Sequence, residues 1–167
     1  MPKPTLLARL ALAAMFVLPA TLPVLAGSAE TALLASYAGT WTGTGVAAGP
    51  DPGDVNCRIT FKSTSTGKLI YNGRCSFSSG AASFNGTMIY NDAANRFEAA
   101  SSSTGFSATT IGKKQGSNIV FSMEGQDTTY GTASSTMTLG SKSINITFKL
   151  VDKKGETTSS KITFTRS

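Results

Sequence analysis

The sequence predicts an all-β protein, an antiparallel up-and-down meander of about 8–10 strands that closes into a barrel with one disulfide. Short runs of alternating apolar and polar residues recur along the chain, and turn residues such as Gly and Asn separate them. The runs are too closely spaced for crossover helices, so consecutive strands pair as antiparallel neighbours. Closure is expected because it removes the exposed edges of so long a meander. The predicted strands are 40–46, 55–62, 68–77, 83–90, 96–100, 106–111, 118–124, 134–139, 143–151 and 161–165.

A secretion signal precedes the predicted barrel. Lys3 and Arg9 give a basic start, and the apolar stretch Leu10–Leu18 that follows is too short to span a bilayer. Small residues at the positions that signal peptidase reads predict cleavage after Ala26 or after Ala29. The protein is therefore expected in the periplasm or outside the cell, with no stable membrane insertion once the signal is removed.

Removal of the signal leaves about 140 residues, the usual size of one domain. The chain has 15 Lys and Arg against 9 Asp and Glu, and its basic residues are scattered rather than clustered. Nucleic-acid binding requires a basic stripe with interleaved aromatic residues, so no nucleic-acid partner is expected. The predicted organisation is a signal peptide at 1–26, an N-terminal segment able to form a short helix at 27–38, and the barrel domain at 39–167.

Alternation within the strands predicts which side chains face the barrel interior. Ile144, Ile146 and Phe148, for example, share one face of the ninth predicted strand. Small residues at other interior positions indicate either a cavity or tight strand bends. These small residues are Gly43, Gly45, Gly73, Gly86, Ala99 and Ala108. The candidate ligand-binding residues are the aromatic side chains Tyr71, Phe84, Tyr90, Phe106 and Phe121.

Cys57 and Cys75 lie on the second and third predicted strands, each on the apolar face of its strand. If these strands form a hairpin, Cys57 lies opposite Cys75 and the turn falls around Gly67. A redox-active or zinc-binding pair is disfavoured, because the chain has no CxxC motif and no histidine. We therefore expect a structural disulfide, which in a loop of this length contributes roughly 3 kcal/mol.

The composition also disfavours catalysis. Without histidine, the chain lacks the usual near-neutral acid–base group and the commonest zinc ligand. Most acidic residues fall in apparent turns. The two within strands, Glu98 and Glu124, are predicted to point away from the barrel interior. We expect no enzymatic activity, no metal and no cofactor.

The first and last predicted strands carry a recognisable combination of residues. Gly39 and Trp41 form a Gly-x-Trp motif on the first strand, and Arg166 shares a face of the last strand with Phe164. Because these strands are neighbours in a closed barrel, Arg166 can lie over the indole of Trp41. In these residues the chain resembles the calycin superfamily, which includes lipocalins, fatty-acid-binding proteins and bacterial metalloprotease inhibitors. The resemblance implies a calycin-like barrel in which a basic residue from the last strand packs on the tryptophan.

The N-terminal half is most similar to the bacterial alkaline-protease-inhibitor family, whose AGxW-like start is followed by one disulfide. Residues 38–41, Cys57 and Cys75 follow that order. The linker before Cys57 is longer than in that family, and the chain continues through more strands. In the family the mature N-terminus inserts into the protease cleft, and the resemblance implies that role for residues 27–30.

Two functions are therefore expected, together with a third alternative. The first is an exported calycin-like binding protein with a small apolar or amphipathic molecule in the barrel. The second is a protein-binding module, chiefly an inhibitor of a secreted protease acting through its N-terminus or the loop at 49–54. The third, an outer-membrane barrel, is disfavoured because the alternating runs are mostly shorter than the 9–11 residues of a membrane strand.

Overall fold

The computed structural model describes residues 26–167, so the predicted signal peptide lies outside the described residues except for Ala26. Helix α1 (Ala26–Ala35) precedes ten strands. Each strand pairs antiparallel with its neighbour in the chain, and β1 pairs with β10, so the barrel closes as predicted. The strands are β1 (Gly39–Ala48), β2 (Gly53–Ser63), β3 (Leu69–Phe77), β4 (Gly80–Asn91), β5 (Arg96–Ser103), β6 (Phe106–Gln115), β7 (Asn118–Asp127), β8 (Gly131–Leu139), β9 (Ser143–Asp152) and β10 (Thr157–Arg166).

Most strands extend beyond their predicted runs. Strand β10 begins at Thr157, whereas the predicted run began at Lys161. The prediction missed its first residues because they are Thr and Ser on both faces and show no alternation. Strand β6 continues past the predicted end at Ile111 to Gln115. The prediction stopped early because Lys113, Lys114 and Gln115 are all exposed and do not alternate. Alternation therefore located all ten strands but underestimated the length of most of them.

The longer strands remove the length argument against an outer-membrane barrel, since they contain 8 to 12 residues. Most outward-facing positions are polar, however, as the exposed side chains of Thr42, Arg58 and Asn72 illustrate, and the exposed Val46, Ile70 and Ile111 are scattered over β1, β3 and β6. A lipid-facing surface instead needs an apolar outer band. Within residues 26–167, no helix has the length and apolar character that crossing a membrane requires.

Helix α1 covers one end of the barrel, which we term the closed end. Its Thr31 packs against Gly67 in the turn between β2 and β3. On the same helix, Glu30 accepts a hydrogen bond of 3.2 Å from Lys114, near the end of β6. The helix also packs along β4. The opposite end, where β1 ends and β10 begins, is termed the open end.

The apolar core is concentrated near the closed end. Burying a large apolar side chain fully stabilises a protein by about 1.5–3 kcal/mol, so this half supplies most of the hydrophobic stabilisation. Strand alternation directs these side chains inward, and residues from at least six strands meet there. The fully buried residues include Leu34, Trp41, Ile59, Phe61, Leu69, Ile119, Leu139, Ile144 and Phe164.

Four interior glycines are covered by aromatic rings on neighbouring strands, whereas a Cβ atom at Gly45 would meet the β10 backbone. A Cβ atom at Gly43 would lie 2.5 Å from the ring of Phe164, which leaves no room for a side chain. Each such glycine is paired directly with its aromatic residue in the strand register, so the ring fills the space that the glycine leaves. These positions are therefore close contacts rather than openings. The other pairs are Gly73 with Phe84, Gly86 with Tyr71 and Gly112 with Phe121.

The predicted disulfide between Cys57 and Cys75 is present. The two residues are directly opposite in the β2–β3 register, and both side chains are buried. Gly67 has a φ of +76° in the turn of this hairpin, a conformation that glycine adopts without strain. The disulfide therefore joins two neighbouring strands from inside the barrel.

Candidate functional site

A small cavity lies inside the barrel, between the closed-end core and the open end. Its volume is about 60 Å³. Ligand pockets usually enclose about 300–1,000 Å³, so this cavity accepts an organic ligand only if lining side chains move. Three methionines and three aromatic residues supply much of its wall. The lining residues are Tyr71, Met88, Ala99, Ser101, Phe106, Ala108, Thr110, Phe121, Met123, Ser135 and Met137.

The methionines make this cavity adaptable. Met88, Met123 and Met137 come from β4, β7 and β8, so they approach it from different sides. Methionine is unbranched and has three rotatable side-chain bonds, so it changes shape at lower cost than Leu or Phe. The cavity can therefore enlarge without displacement of the strands.

A pair of hydroxyl groups marks the polar side of the cavity. The Tyr71 and Ser101 side-chain oxygens lie 2.5 Å apart, and either can be the donor. Burial raises the pKa of the Tyr71 phenol, while its hydrogen bond to Ser101 acts in the opposite direction. The phenol is therefore neutral at physiological pH, and it can donate a hydrogen bond to a ligand oxygen.

The barrel wall is incomplete beside this cavity. Strands β6 and β7 pair only from Gly112 opposite Phe121 to Gln115 opposite Asn118. Their remaining halves, 106–111 and 122–127, have no ladder between them, and we term this opening the seam. Cavity-lining residues flank it on both sides: Phe106, Ala108 and Thr110 on β6, and Met123 on β7.

The seam is bridged where it reaches the open end. The Thr129 backbone N–H donates to the Gly105 carbonyl oxygen at 3.3 Å. A Cβ atom at Gly105 would lie 2.7 Å from the Tyr130 ring, so this aromatic side chain packs on the β5–β6 turn. The seam is consequently a side slit, held by the β6–β7 ladder at one end and by this loop contact at the other.

The structure brings together three of the five candidate ligand-binding residues. Tyr71, Phe106 and Phe121 line the cavity. Phe84 lies over Gly73, with its ring centroid 6.4 Å from that of Tyr71, and is not among the lining residues. Tyr90 donates a hydrogen bond to Asn95 near the closed end, away from the cavity.

Sequence analysis missed the methionines and Ser101. Period-two alternation placed Met123 on the same face as Phe121, and that signal could have identified it. Ser101 gave no such signal, because it lies in a run of three serines on β5.

A larger concavity of about 430 Å³ lies on the outside of the barrel, across β1 and β7 to β10. Lys149, Lys161 and Glu124 border it, together with hydroxyl side chains such as Thr147. These side chains are exposed, so a ligand there would remain largely in contact with water. The interior cavity therefore offers the stronger binding environment.

The Trp41–Arg166 contact implied by the calycin resemblance has a defined geometry. The Arg166 guanidinium carbon lies 4.6 Å from the Trp41 ring centroid. Its nitrogen atoms donate 2.7 Å hydrogen bonds to the carbonyl oxygens of Ser36 and Ala38. Gly39 has a φ of +132°, and a Cβ atom there would lie 2.8 Å from the guanidinium, which explains the glycine of the motif.

Tyr37 and Trp41 complete the attachment of the α1 segment to the barrel. The Trp41 indole N–H donates to the Tyr37 carbonyl oxygen at 3.0 Å, and the Tyr37 hydroxyl donates to the Leu139 carbonyl oxygen at 2.9 Å. Burial raises the pKa of the Tyr37 phenol. These contacts have a structural role, since they lie at the closed end rather than at the cavity.

The two segments expected to act in protease inhibition have different environments. Residues 27–30 lie within α1, where Gly27 is buried and Glu30 contacts Lys114, so they are not an extended arm. The loop at 49–54 is largely exposed, and its Asp51 accepts a hydrogen bond of 3.3 Å from Ser78.

Comparison with known proteins identifies the fold. No protein-family model matches the chain, and no curated protein matches it in sequence. It is similar to the structure of Rv2717c from M. tuberculosis, with a TM-score of 0.62 and 12% identity over 80% of this chain and 94% of that chain. It is also similar to the S-type phycobiliprotein lyase CPES from Guillardia theta, with a TM-score of 0.57 and 11% identity over 84% and 97% of the respective chains. At these identities the likeness concerns the fold alone, and it is consistent with a calycin-like barrel.

Proposed function

We propose that this protein is an exported, non-catalytic binding protein that holds a slender apolar or amphipathic molecule inside its barrel. The methionine-lined cavity beside the seam is the observation that carries this proposal. The secretion signal in the sequence supports export to the periplasm or beyond. The S-type phycobiliprotein lyase shares the fold at 11% identity, and its activity is not carried over to this chain.

The seam supports entry from the side of the barrel. The closed end is covered by α1 and filled by large side chains, so a ligand cannot pass through it. Between β6 and β7, in contrast, only side chains stand between solvent and the cavity, because the ladder stops at Gly112 and Phe121. Movement of Met123 and Phe106 widens this route without breaking a backbone hydrogen bond of the β6–β7 ladder.

The chemistry of the lining favours an apolar chain with one polar group. Methionine and aromatic side chains contact the chain, and the Tyr71–Ser101 hydroxyl pair can exchange its mutual hydrogen bond for one to the ligand. A bulky ring system does not fit, because the cavity begins at about 60 Å³ and grows only by side-chain rotation. A medium-length fatty acid or alcohol has the required shape.

A calorimetric titration with unlabelled dodecanoate as the probe tests the proposal. The protein purified from the periplasm should bind the probe with saturation at one probe per chain, and dodecanol should compete with it. Native mass spectrometry of the same preparation should detect any ligand retained from the host. Absence of saturable binding would overturn the proposed site.

A matched pair of variants locates the binding. Ala108→Leu extends a side chain into the cavity and should weaken probe binding at least tenfold, whereas Thr109→Leu changes an exposed neighbour and should leave it unaltered. Circular dichroism would verify that both variants are folded. Equal binding by Ala108→Leu and the unmodified protein would place the probe outside the barrel.

A further inference from the structure

We infer that the exported chain is cut between Ala26 and Gly27, and that the Asp92 carboxylate binds the new Gly27 ammonium group. This inference rests on the proposed export and is independent of the ligand. Sequence alone allowed cleavage after Ala26 or after Ala29. The contacts of α1 distinguish the two positions.

Gly27 is buried against a carboxylate. The Asp92 side chain lies so close to the Gly27 backbone that a Cβ atom there would overlap its carboxyl group. Any other residue at position 27 would therefore displace Asp92. The turn that presents Asp92 is held by hydrogen bonds from the Asn95 N–H to the Asp92 carbonyl oxygen (3.2 Å) and from the Ala94 N–H to the Asn91 side chain (3.0 Å).

Electrostatics favour a carboxylate at this position. The N-terminus of a helix carries a partial positive charge, and a free α-ammonium group would add a full charge beside it. The first turn of α1 contains no acidic residue. Asp92 supplies the missing negative charge from the barrel, and a charge-assisted hydrogen bond to the new ammonium group would hold the helix on the β4–β5 turn.

Cleavage after Ala29 would discard this arrangement. It would remove the first turn of α1, including Gly27, and leave the Asp92 carboxylate without its neighbour. Cleavage after Ala26 keeps α1 intact from Gly27 and retains the approach of Asp92 to Gly27, whereas the contact between Glu30 and Lys114 is compatible with either cut. Hydrolysis adds water across the Ala26–Gly27 peptide bond, so Ala26 leaves with a carboxylate and Gly27 gains the amine.

Expression of the full chain in a bacterium, followed by fractionation and intact mass measurement, tests the position of the cut. The periplasmic or secreted protein should have the mass of residues 27–167, with one disulfide and Gly as the first residue on N-terminal sequencing. A first residue of Glu30 would overturn this inference but leave export in place. An uncut chain retained in the cytoplasm would overturn export as well.

The Asp92 contact has a separate chemical test. A carboxylate beside an ammonium group stabilises its charged form, so Gly27 should react slowly with an amine-selective acylating reagent near neutral pH. Asp92→Asn should increase this rate several-fold, and the control Asp54→Asn, on exposed β2 surface, should not. In urea the three proteins should react alike. An unchanged rate in folded Asp92→Asn would show that Asp92 does not bind the amine.

Discussion

The closed and open halves of the barrel use the same ten strands but have different interiors. The closed half is filled by large apolar side chains and covered by α1. The open half has a small cavity, serine and alanine side chains such as Ser135 and Ala108, and the seam in its wall. The difference indicates that the closed half supplies most of the stability and that the open half supplies the adaptable space.

Truncation of a closed-half core residue should have the largest effect. Phe61 is 1% exposed and packs against Tyr71, with ring centroids 5.6 Å apart. Phe61→Ala should lower the free energy of unfolding by about 3–5 kcal/mol, because it creates a cavity in close-packed surroundings. Urea denaturation would measure this loss. Phe106→Ala, at a half-buried position beside an existing cavity, should cost clearly less, and equal losses would contradict the division between the halves.

Removal of the disulfide should rank second. Cys57 and Cys75 cross-link β2 and β3, and Cys75 lies toward the open end, where fewer large side chains fill the interior. The double change Cys57→Ala with Cys75→Ala should lower the free energy of unfolding by about 3 kcal/mol, chiefly through greater freedom of the unfolded chain. Thermal unfolding with and without reductant provides the control, since reductant should affect only the disulfide-containing protein. Equal stability of the two proteins would show that the disulfide does not stabilise the fold.

Loss of the arginine contact at the closed end should be smaller. Arg166→Met removes the two hydrogen bonds to Ser36 and Ala38 and the cation–π contact with Trp41. We expect a loss of about 2 kcal/mol in unfolding free energy and a changed Trp41 fluorescence spectrum. Arg166→Lys keeps the charge but cannot form both hydrogen bonds as the planar guanidinium does, so it should recover only part of the stability. Full recovery by Lys would show that charge alone matters.

The smallest effect is expected at the hydroxyl pair of the cavity. Ser101→Ala should cost about 1 kcal/mol and raise the Tyr71 pKa further, because it removes the hydrogen bond that lowers it. Absorbance titration of tyrosinate would measure the shift. Ser102→Ala, at the exposed neighbouring position, is the matched control and should leave the Tyr71 titration unchanged. A Ser101→Ala titration identical to that of the control would contradict this contact.

The raised pKa of Tyr71 also determines how the stability of the fold depends on pH. The folded-state pKa of Tyr71 is raised above the unfolded value of about 10. The stabilising contribution of the neutral phenol is therefore complete below about pH 10 and is lost as the pH rises through the folded-state pKa. Denaturation measured across this alkaline range should show a steeper loss of stability than in Tyr71→Phe.

Sequence alone predicted the strands and the disulfide because both depend on local alternation. The facing positions of Cys57 and Cys75 follow from period-two counting across one short turn. The seam could not be predicted in this way, because β6 alternates normally from Phe106 to Ile111 and β7 alternates as far as Met123, beyond the point where their ladder stops. The β7–β8 register shift between Met123 and Gln126 shows the same limit, since pairing depends on closure of the whole barrel.

The cavity volume was also beyond sequence reasoning. Gly73 and Gly86 could be recognised as small interior residues, but their aromatic neighbours fill the space above them. Whether a ring covers a glycine depends on the side-chain conformation of a residue on another strand. Of the small interior residues recognised in the sequence, Ala99 and Ala108 are the two that line the cavity.

The pairing of β1 with β10 has a consequence for the order of folding. All the other pairings join strands that are consecutive in the chain, so each can form as a local hairpin. The Arg166 hydrogen bond to Ala38, in contrast, joins residues 128 positions apart. In an unstructured chain, bringing the ends of so long a segment together would cost about 4 kcal/mol of entropy. Earlier assembly of the hairpins lowers this cost, so we expect ring closure, with the Arg166 contact, to come last.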